Sequence, residues 1–300
     1  MKAVRFARYG GPEVLELSEV GAPHAAAGQI RIRVRAAGVN GLEWKARQGL
    51  LRDHVPVRFP AGVGGDAAGI VDEVGAGVAD VAAGDAVFGS GRATYAEYAV
   101  LTSWARKPDQ VTFAEAAGFA TPFETALRLL DDAEVGAGHT VVVNGASGGV
   151  GSAAVQFARE RGARVIGVAG PSNQDYLAEL GAVPTTYGPG LADRIRALAP
   201  DGVDAALDIA GSGVLPDLIA LTGDPAAVVS IADFTAPEHG ARVSIGFDRD
   251  RAPALREGAR LAAAGHVTLP VTRTFPLTEA GAAQSACATG HVRGRIVVTV

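Results

Sequence analysis

The chain of 300 residues has a single cysteine, Cys287. One thiol excludes a disulfide framework and any zinc site built mainly of cysteines, and it suits a reducing compartment, so a cytoplasmic protein is expected. There is no run of Lys or Arg, and the formal net charge is −5, which argues against nucleic acid as a partner. No apolar stretch approaches the ~18 residues of a membrane span. Met1-Lys2-Ala3-Val4-Arg5 leads straight into a strand pattern, not a signal peptide. Internal repeats and low-complexity linkers are also missing. What remains is a chain 48% hydrophobic and 20% charged, of a length comfortable for two domains.

The densest signal is Val141-Val142-Val143-Asn144-Gly145-Ala146-Ser147-Gly148-Gly149-Val150-Gly151. Three consecutive β-branched residues suit a strand covered on both faces. Gly145, Gly148 and Gly151 recur at three-residue spacing, and Val150, Ala153, Ala154, Phe157 and Ala158 then share one helical face up to a capping Gly162. With the strand Arg164–Val168 this makes a βαβ unit of about 30 residues, the context a dinucleotide fingerprint needs. Glycines let the backbone approach a pyrophosphate, and the free N–H groups of the helix start bind its charge. Gly145 and Gly149 also flank Ser147 as in a nucleophile elbow, but no Ser-His-Asp or Cys-His set accompanies it, so a hydrolase is disfavoured.

Up to about residue 115 the chain reads as short strands punctuated by Gly, Pro and Asp, suggesting a compact barrel: Lys2–Phe6, Val14–Val20, Ile30–Ala37, Ala68–Val74, Ala86–Phe88 and Tyr95–Val100. Helical stretches Phe113–Phe119 and Pro122–Leu130 follow. Strands at Val141–Asn144, Arg164–Val168, Val183–Tyr187, Val203–Asp208, Ala226–Ile231 and Arg242–Ile245 then alternate with helices, which predicts a doubly wound parallel sheet. The tail from Val267 returns to strand–helix–strand and is too short to stand alone. The expected organisation is α/β: residues 118–247 form a Rossmann domain, and residues 1–117 with 248–300 form a barrel domain.

The ordered set Tyr9-Gly10-Gly11-Pro12-Glu13-Val14-Leu15, Ala37-Gly38-Val39-Asn40, Gly65-Asp66-Ala67-Ala68-Gly69-Ile70-Val71, Gly84-Asp85-Ala86-Val87-Phe88-Gly89, Thr94-Tyr95-Ala96-Glu97-Tyr98, the glycine turn and Gly294-Arg295-Ile296-Val297 carries a resemblance. From end to end the chain resembles the medium-chain dehydrogenase/reductase superfamily, and it looks most like the zinc-free quinone oxidoreductase branch related to zeta-crystallin. The resemblance implies a GroES-like catalytic barrel beside the Rossmann domain. It also implies reduction of quinones or conjugated carbonyls with NAD(P)H, and a homodimer paired through the strand Arg242–Ile245. Zinc relatives have a Cys where Asn40 stands and Gly-His-Glu where this chain reads Gly64-Gly65-Asp66, so no metal is expected. The six histidines, 24, 54, 139, 239, 266 and 291, are scattered without metal spacing.

Val168-Ala169-Gly170-Pro171-Ser172-Asn173-Gln174 contains no acid to hold a ribose 2′-OH, which favours NADPH over NADH. Ser172 and Asn173 can donate to a 2′-phosphate or cap the next helix. Tyr187 matches a family tyrosine beside that phosphate, while Gln174 replaces a common lysine. Asn144, Ala210, Ile231 and Ala232 are expected to line the coenzyme site with the turn, and Thr121 to border the nicotinamide. Asn40 matches a family asparagine whose amide could bond the coenzyme or a substrate carbonyl. Lys45 could donate to a carbonyl, although a lone lysine is more often solvent-exposed. Tyr95 could be a proton donor, an aromatic wall or a core residue. Asp66 and Asp208 read as structural. The loops 48–59 and 232–241 carry no substrate signature. An enoyl reductase acting on a polyketide-like intermediate and a non-catalytic NADPH-binding protein stand as alternatives.

Overall fold

The computed structural model describes residues 1–53, 56–246, 249–290 and 292–300. His54, His291 and the expected boundary between residues 247 and 248 lie outside the described residues. The chain divides into two compact units. One comprises Met1–Thr121, Asp250–Gly265 and Leu269–Val300; the other comprises Pro122–Arg249 and His266–Thr268.

The second unit is built on six parallel strands in the order Val183–Thr186, Arg164–Ala169, Thr140–Asn144, Ala205–Asp208, Val228–Ser230, Arg242–Val243. This is the doubly wound Rossmann arrangement, in which the winding direction reverses between Thr140–Asn144 and Ala205–Asp208. Val141, Val142 and Val143 are wholly buried, as an apolar run in a two-faced strand requires. Val142, Ile166 and Val168 pack with Leu191, Ile195, Leu215 and Leu218 of the helices Leu191–Leu198 and Leu215–Thr222. The helix Gly149–Glu160 packs on the strands Thr140–Asn144 and Arg164–Ala169. The last strand is two residues long, shorter than the expected Arg242–Ile245. Just beyond it the hydroxyl of Ser244 is captured by Asp132 and Arg128, and Ile245 is left 55% exposed.

In the first unit the strands Ile30–Gly38, Asp66–Val74, Ala86–Arg92 and Tyr98–Arg106 pair antiparallel and close on themselves, because the last also pairs with the first. Ile30, Ile32, Val71, Val87 and Leu101 fill the barrel. Each such side chain contributes about 1.5–3 kcal/mol by burial. The strand Arg295–Thr299 joins this sheet beside Ile30–Gly38, flanked by Val271–Pro276. A smaller sheet has the order Glu16–Glu19, Lys2–Phe6, Ala61–Gly62. The expected strand from Tyr95 begins only at Tyr98. Ala93, at φ 54°, turns the chain, and Tyr95 instead pairs its backbone with Val63 and Val4. The helix Gly41–Arg47, whose start Glu43 secures by accepting the Asn40 backbone N–H at 3.2 Å, was not expected from periodicity.

Candidate functional site

Gly145 ends the first Rossmann strand with φ 83°. A Cβ at Gly151 would stand 2.1 Å from the Gly145 carbonyl oxygen, so only glycine lets the helix begin so close to the turn. The first helical bond runs from Ser152 N–H to the Gly148 carbonyl at 2.8 Å, leaving the N–H groups of Gly149, Val150 and Gly151 ahead of the ladder. No side chain caps this end. Such a start is a ready cradle for a phosphate.

Asp208 sets the shape of the adjoining crevice. Wholly buried, it accepts from Asn144 Nδ2 at 2.9 Å, from the Gly211 N–H at 2.9 Å and from the Ser230 hydroxyl at 2.8 Å. The Ser230 oxygen accepts in turn from the N–H groups of Ala232 and Asp233, and the N–H of Ile231 bonds the Asp208 carbonyl. One carboxylate thereby ties three neighbouring strand ends. It draws together Asn144, Gly145, Ala210, Ile231 and Ala232; a Cβ at Gly145 would lie 3.0 Å from that of Ala210.

Beside the turn, Asn173 donates to the Ser147 hydroxyl at 3.3 Å. Neither Ser172 nor Asn173 caps the helix Gln174–Glu179, so the capping reading falls away, and Ser172 is exposed. Tyr187 stands one residue past its strand, 52% exposed, with its ring beside Gly170. Gln174 donates to the carbonyls of Ala169, Gly170 and Thr185 at 3.1, 3.1 and 3.2 Å, so it fastens two strand ends and does not simply vacate a lysine's place. Ser147 has none of the backbone strain of a nucleophile elbow, since Ala93, Glu134 and Ser212 are the non-glycine residues with positive φ among the described residues.

The first unit contains a second polar cluster. Asp66, wholly buried, accepts from Asn40 Nδ2 at 2.9 Å, and from the Thr121 N–H at 3.0 Å and hydroxyl at 2.8 Å. Asn40 Oδ1 accepts from Arg295 at 2.9 Å. Both ends of the Asn40 amide therefore have partners within the first unit. Tyr95 is wholly buried and donates to Glu43 at 2.7 Å. Burial and the Glu43 carboxylate push its phenol well above the ordinary range. Lys45 is half-buried and not solvent-exposed, with its ammonium 5.7 Å from the centre of the Trp44 ring. Burial also raises the Cys287 thiol to about 11, which keeps it protonated and unreactive.

Sequence reasoning missed Arg295 and the convergence on Glu43. The signal for Arg295 was present. A charge inside Arg295-Ile296-Val297-Val298 is not buried without a partner. Gly38 and Gly118 make room for it, since a Cβ at either would stand 3.0 Å from an Arg295 side-chain atom. Among the described residues no group of three His, Cys, Asp or Glu is arranged as metal ligands, and no helix is long and apolar enough to cross a membrane.

Residues 26–119 match the family described as alcohol dehydrogenase GroES-like domain, and residues 187–298 match zinc-binding dehydrogenase. The solved quinone oxidoreductase from Coxiella burnetii is 31% identical, with a TM-score of 0.86 over 100% of this chain and 99% of that one. A mycobacterial protein solved with NADPH is 25% identical, with a TM-score of 0.87 over 100% of both chains. The quinone oxidoreductase of Pongo abelii is 41% identical over 57% of this chain and 53% of its own, so the match spans about half the length of such curated relatives.

Proposed function

Since the chain belongs to the medium-chain dehydrogenase/reductase superfamily, in its quinone oxidoreductase branch, we propose that it is a zinc-independent reductase that transfers hydride from NADPH to a quinone or an α,β-unsaturated carbonyl. The observation that carries this reading is the uncapped, glycine-cleared helix start at Gly145–Gly151 beside a rim free of acids from Val168 to Gln174. The N–H groups of Gly149, Val150 and Gly151 would hold the pyrophosphate. Ser172, Asn173 and Tyr187 would meet the 2′-phosphate, with no carboxylate to repel it. Asn144, Ala210, Ile231 and Ala232 form the crevice wall. The coenzyme supplies the hydride when bound. Thr121 gives its hydroxyl proton to Asp66, so its oxygen is left as an acceptor, suited to the amide hydrogens of a nicotinamide.

Zinc independence is supported by the donor chemistry at positions 40 and 65. Asn40 spends its amide on Asp66 and Arg295, and Gly65 has no side chain to offer. The edge strand Arg242–Val243 leaves unpaired backbone groups that a twin copy would cover, which supports a homodimer.

The test is coenzyme titration followed by NADPH oxidation with panels of quinones and enones, after dialysis against a chelator. The expected result is NADPH binding at least about tenfold tighter than NADH, a difference of ~1.4 kcal/mol, with turnover that survives chelation. Equal affinity for the two coenzymes, or activity restored only by added zinc, would overturn the reading.

A further inference from the structure

Glu43 lies in the first turn of the helix Gly41–Arg47, and four donors converge on its carboxylate. One oxygen accepts the Tyr95 hydroxyl at 2.7 Å and the Asn40 backbone N–H at 3.2 Å. The other accepts the Gly65 N–H at 3.1 Å and Asn40 Nδ2 at 3.4 Å. An ionised carboxylate offers about four lone-pair positions, so its accepting capacity is full. Asp66, Tyr95 and Cys287 act on it electrostatically, and Arg295 and Lys45 act on Cys287 in turn. Arg295 lies 3.9 Å from Asp66 and donates to the Asn40 oxygen. The Asn40 amide nitrogen therefore bridges two carboxylates, Asp66 at 2.9 Å and Glu43 at 3.4 Å, and the guanidinium lies beside Asp66. With Glu43 ionised two like charges face each other across that amide, and a proton on Glu43 removes the repulsion.

We propose that Glu43 is a positioning residue whose single exchangeable proton controls the grip of the cluster on Asn40 and Gly65. Its link to turnover rests on the reductase reading; the proton equilibrium itself does not. The step exchanges one proton between solvent and a Glu43 oxygen, with no bond to substrate formed or broken. Placed on the oxygen that meets the Gly65 N–H and Asn40 Nδ2, the proton turns one accepting position into an O–H, and since both of those groups can only donate, one must let go. The Asn40 amide holds the longest of the four bonds and keeps Asp66 as its alternative, so it is the group released. The balance of forces is consistent with this. Desolvation pushes the Glu43 carboxyl up to about 7, although hydrogen bonds from Tyr95, Asn40 and Gly65 pull the other way. The proton is thus exchanged near neutrality.

Linkage gives the sign for stability. The folded-state value lies above the unfolded one of 4.5, so the folded chain holds the extra proton between the two. The contribution to stability is full below the unfolded value and is lost as pH rises towards about 7.

The experiment is a carboxyl NMR titration of the full chain labelled at glutamate Cδ, with the Gly65 amide followed in parallel. One carboxyl, absent from Glu43→Gln, is expected to titrate near 7, and the Gly65 amide is expected to move with the same midpoint. Tyr95→Phe removes a donor to the ionised form and should raise the midpoint. Between pH 5.5 and 8, Tm should fall further in wild type than in Glu43→Gln, and the pH dependence of kcat/KM should flatten in that variant. A Glu43 midpoint below about 5, the range of an unperturbed glutamate, or a Gly65 amide that ignores it, would overturn the proposal. If Glu43→Gln does not fold, wild type and Tyr95→Phe decide the matter. NMR midpoints as expected with no quinone or enone turnover would sink the reductase reading and leave the proton equilibrium standing.

Discussion

Asp208 and Asp66 are both wholly buried carboxylates at strand ends, and each gathers separate elements of its own unit. They do so by different means. Asp208 meets only neutral donors, from Asn144, Gly211 and Ser230. Asp66 also receives neutral donors, but it shares its surroundings with the Arg295 guanidinium and, across Asn40, with the Glu43 carboxyl. A carboxylate balanced by oriented neutral donors is insensitive to its distant neighbours. One that leans on a buried cation depends on every other charge in the cluster, because removing a partner strands a charge in a poor solvent. The Rossmann crevice is thus held by backbone and dipoles, and the barrel cluster also by a buried ion pair.

The sharpest way to break this comparison is to remove both carboxylates. Asp66→Ala strands Arg295 and should lower stability by about 3–5 kcal/mol. Asp208→Asn leaves a neutral side chain among neutral donors and should cost about 1–3 kcal/mol. Trp44 and Trp104 both belong to the first unit, so tryptophan fluorescence during urea unfolding reports that unit selectively. Asp66→Ala should shift that midpoint strongly and Asp208→Asn weakly. Equal shifts would show that the two carboxylates play the same part.

A second variant probes the crevice's reliance on backbone. Gly151→Ala drives a methyl group to 2.1 Å from the Gly145 carbonyl, so the helix start must retreat. Overpacking of this kind costs about 1–3 kcal/mol. Calorimetric titration should show coenzyme affinity falling by a similar amount, while the fluorescence midpoint of the first unit stays put. Unchanged affinity would mean that the cradle does not bind phosphate.

The smallest effect sharpens the comparison at the solvent edge. Gly170→Asp has room, since a Cβ there would lie 3.6 Å from the exposed Tyr187 ring. Like-charge repulsion in so wet a place is about 1 kcal/mol, so NADPH should bind roughly fivefold more weakly, and less so in high salt. The ratio of NADPH to NADH dissociation constants measures it directly. A ratio that does not move would displace the phosphate pocket from Gly170–Gln174.

These two regions also divide what could be read from the chain in advance. The crevice was legible because its parts are local. Val141–Val143, the spaced glycines and the apolar helix face fall within one βαβ unit, and each has its own periodicity. Asp208 was read as structural, and its bonds to three strand ends are what that means physically. The barrel cluster was not legible, because its members are Asn40, Glu43, Asp66, Tyr95, Thr121 and Arg295, which no period connects. Gln174 illustrates a different limit. It was read against a lysine expected from kinship, whereas its amide hydrogens are spent on three carbonyls that only the folded sheet brings into reach.

Arg295 comes late in the sequence, whereas Asp66, 3.9 Å from its guanidinium, comes early. Synthesis runs from the amino end, so the ribosome releases Asp66 long before the guanidinium that pairs with it. The residues Pro122–Arg249 emerge in the interval as one continuous stretch carrying all six strands of their sheet. The Rossmann unit can therefore mature during translation, while the barrel waits for its closing strand. A ribosome stalled before codon 295 holds a nascent barrel in which buried Asp66 has not yet met its guanidinium.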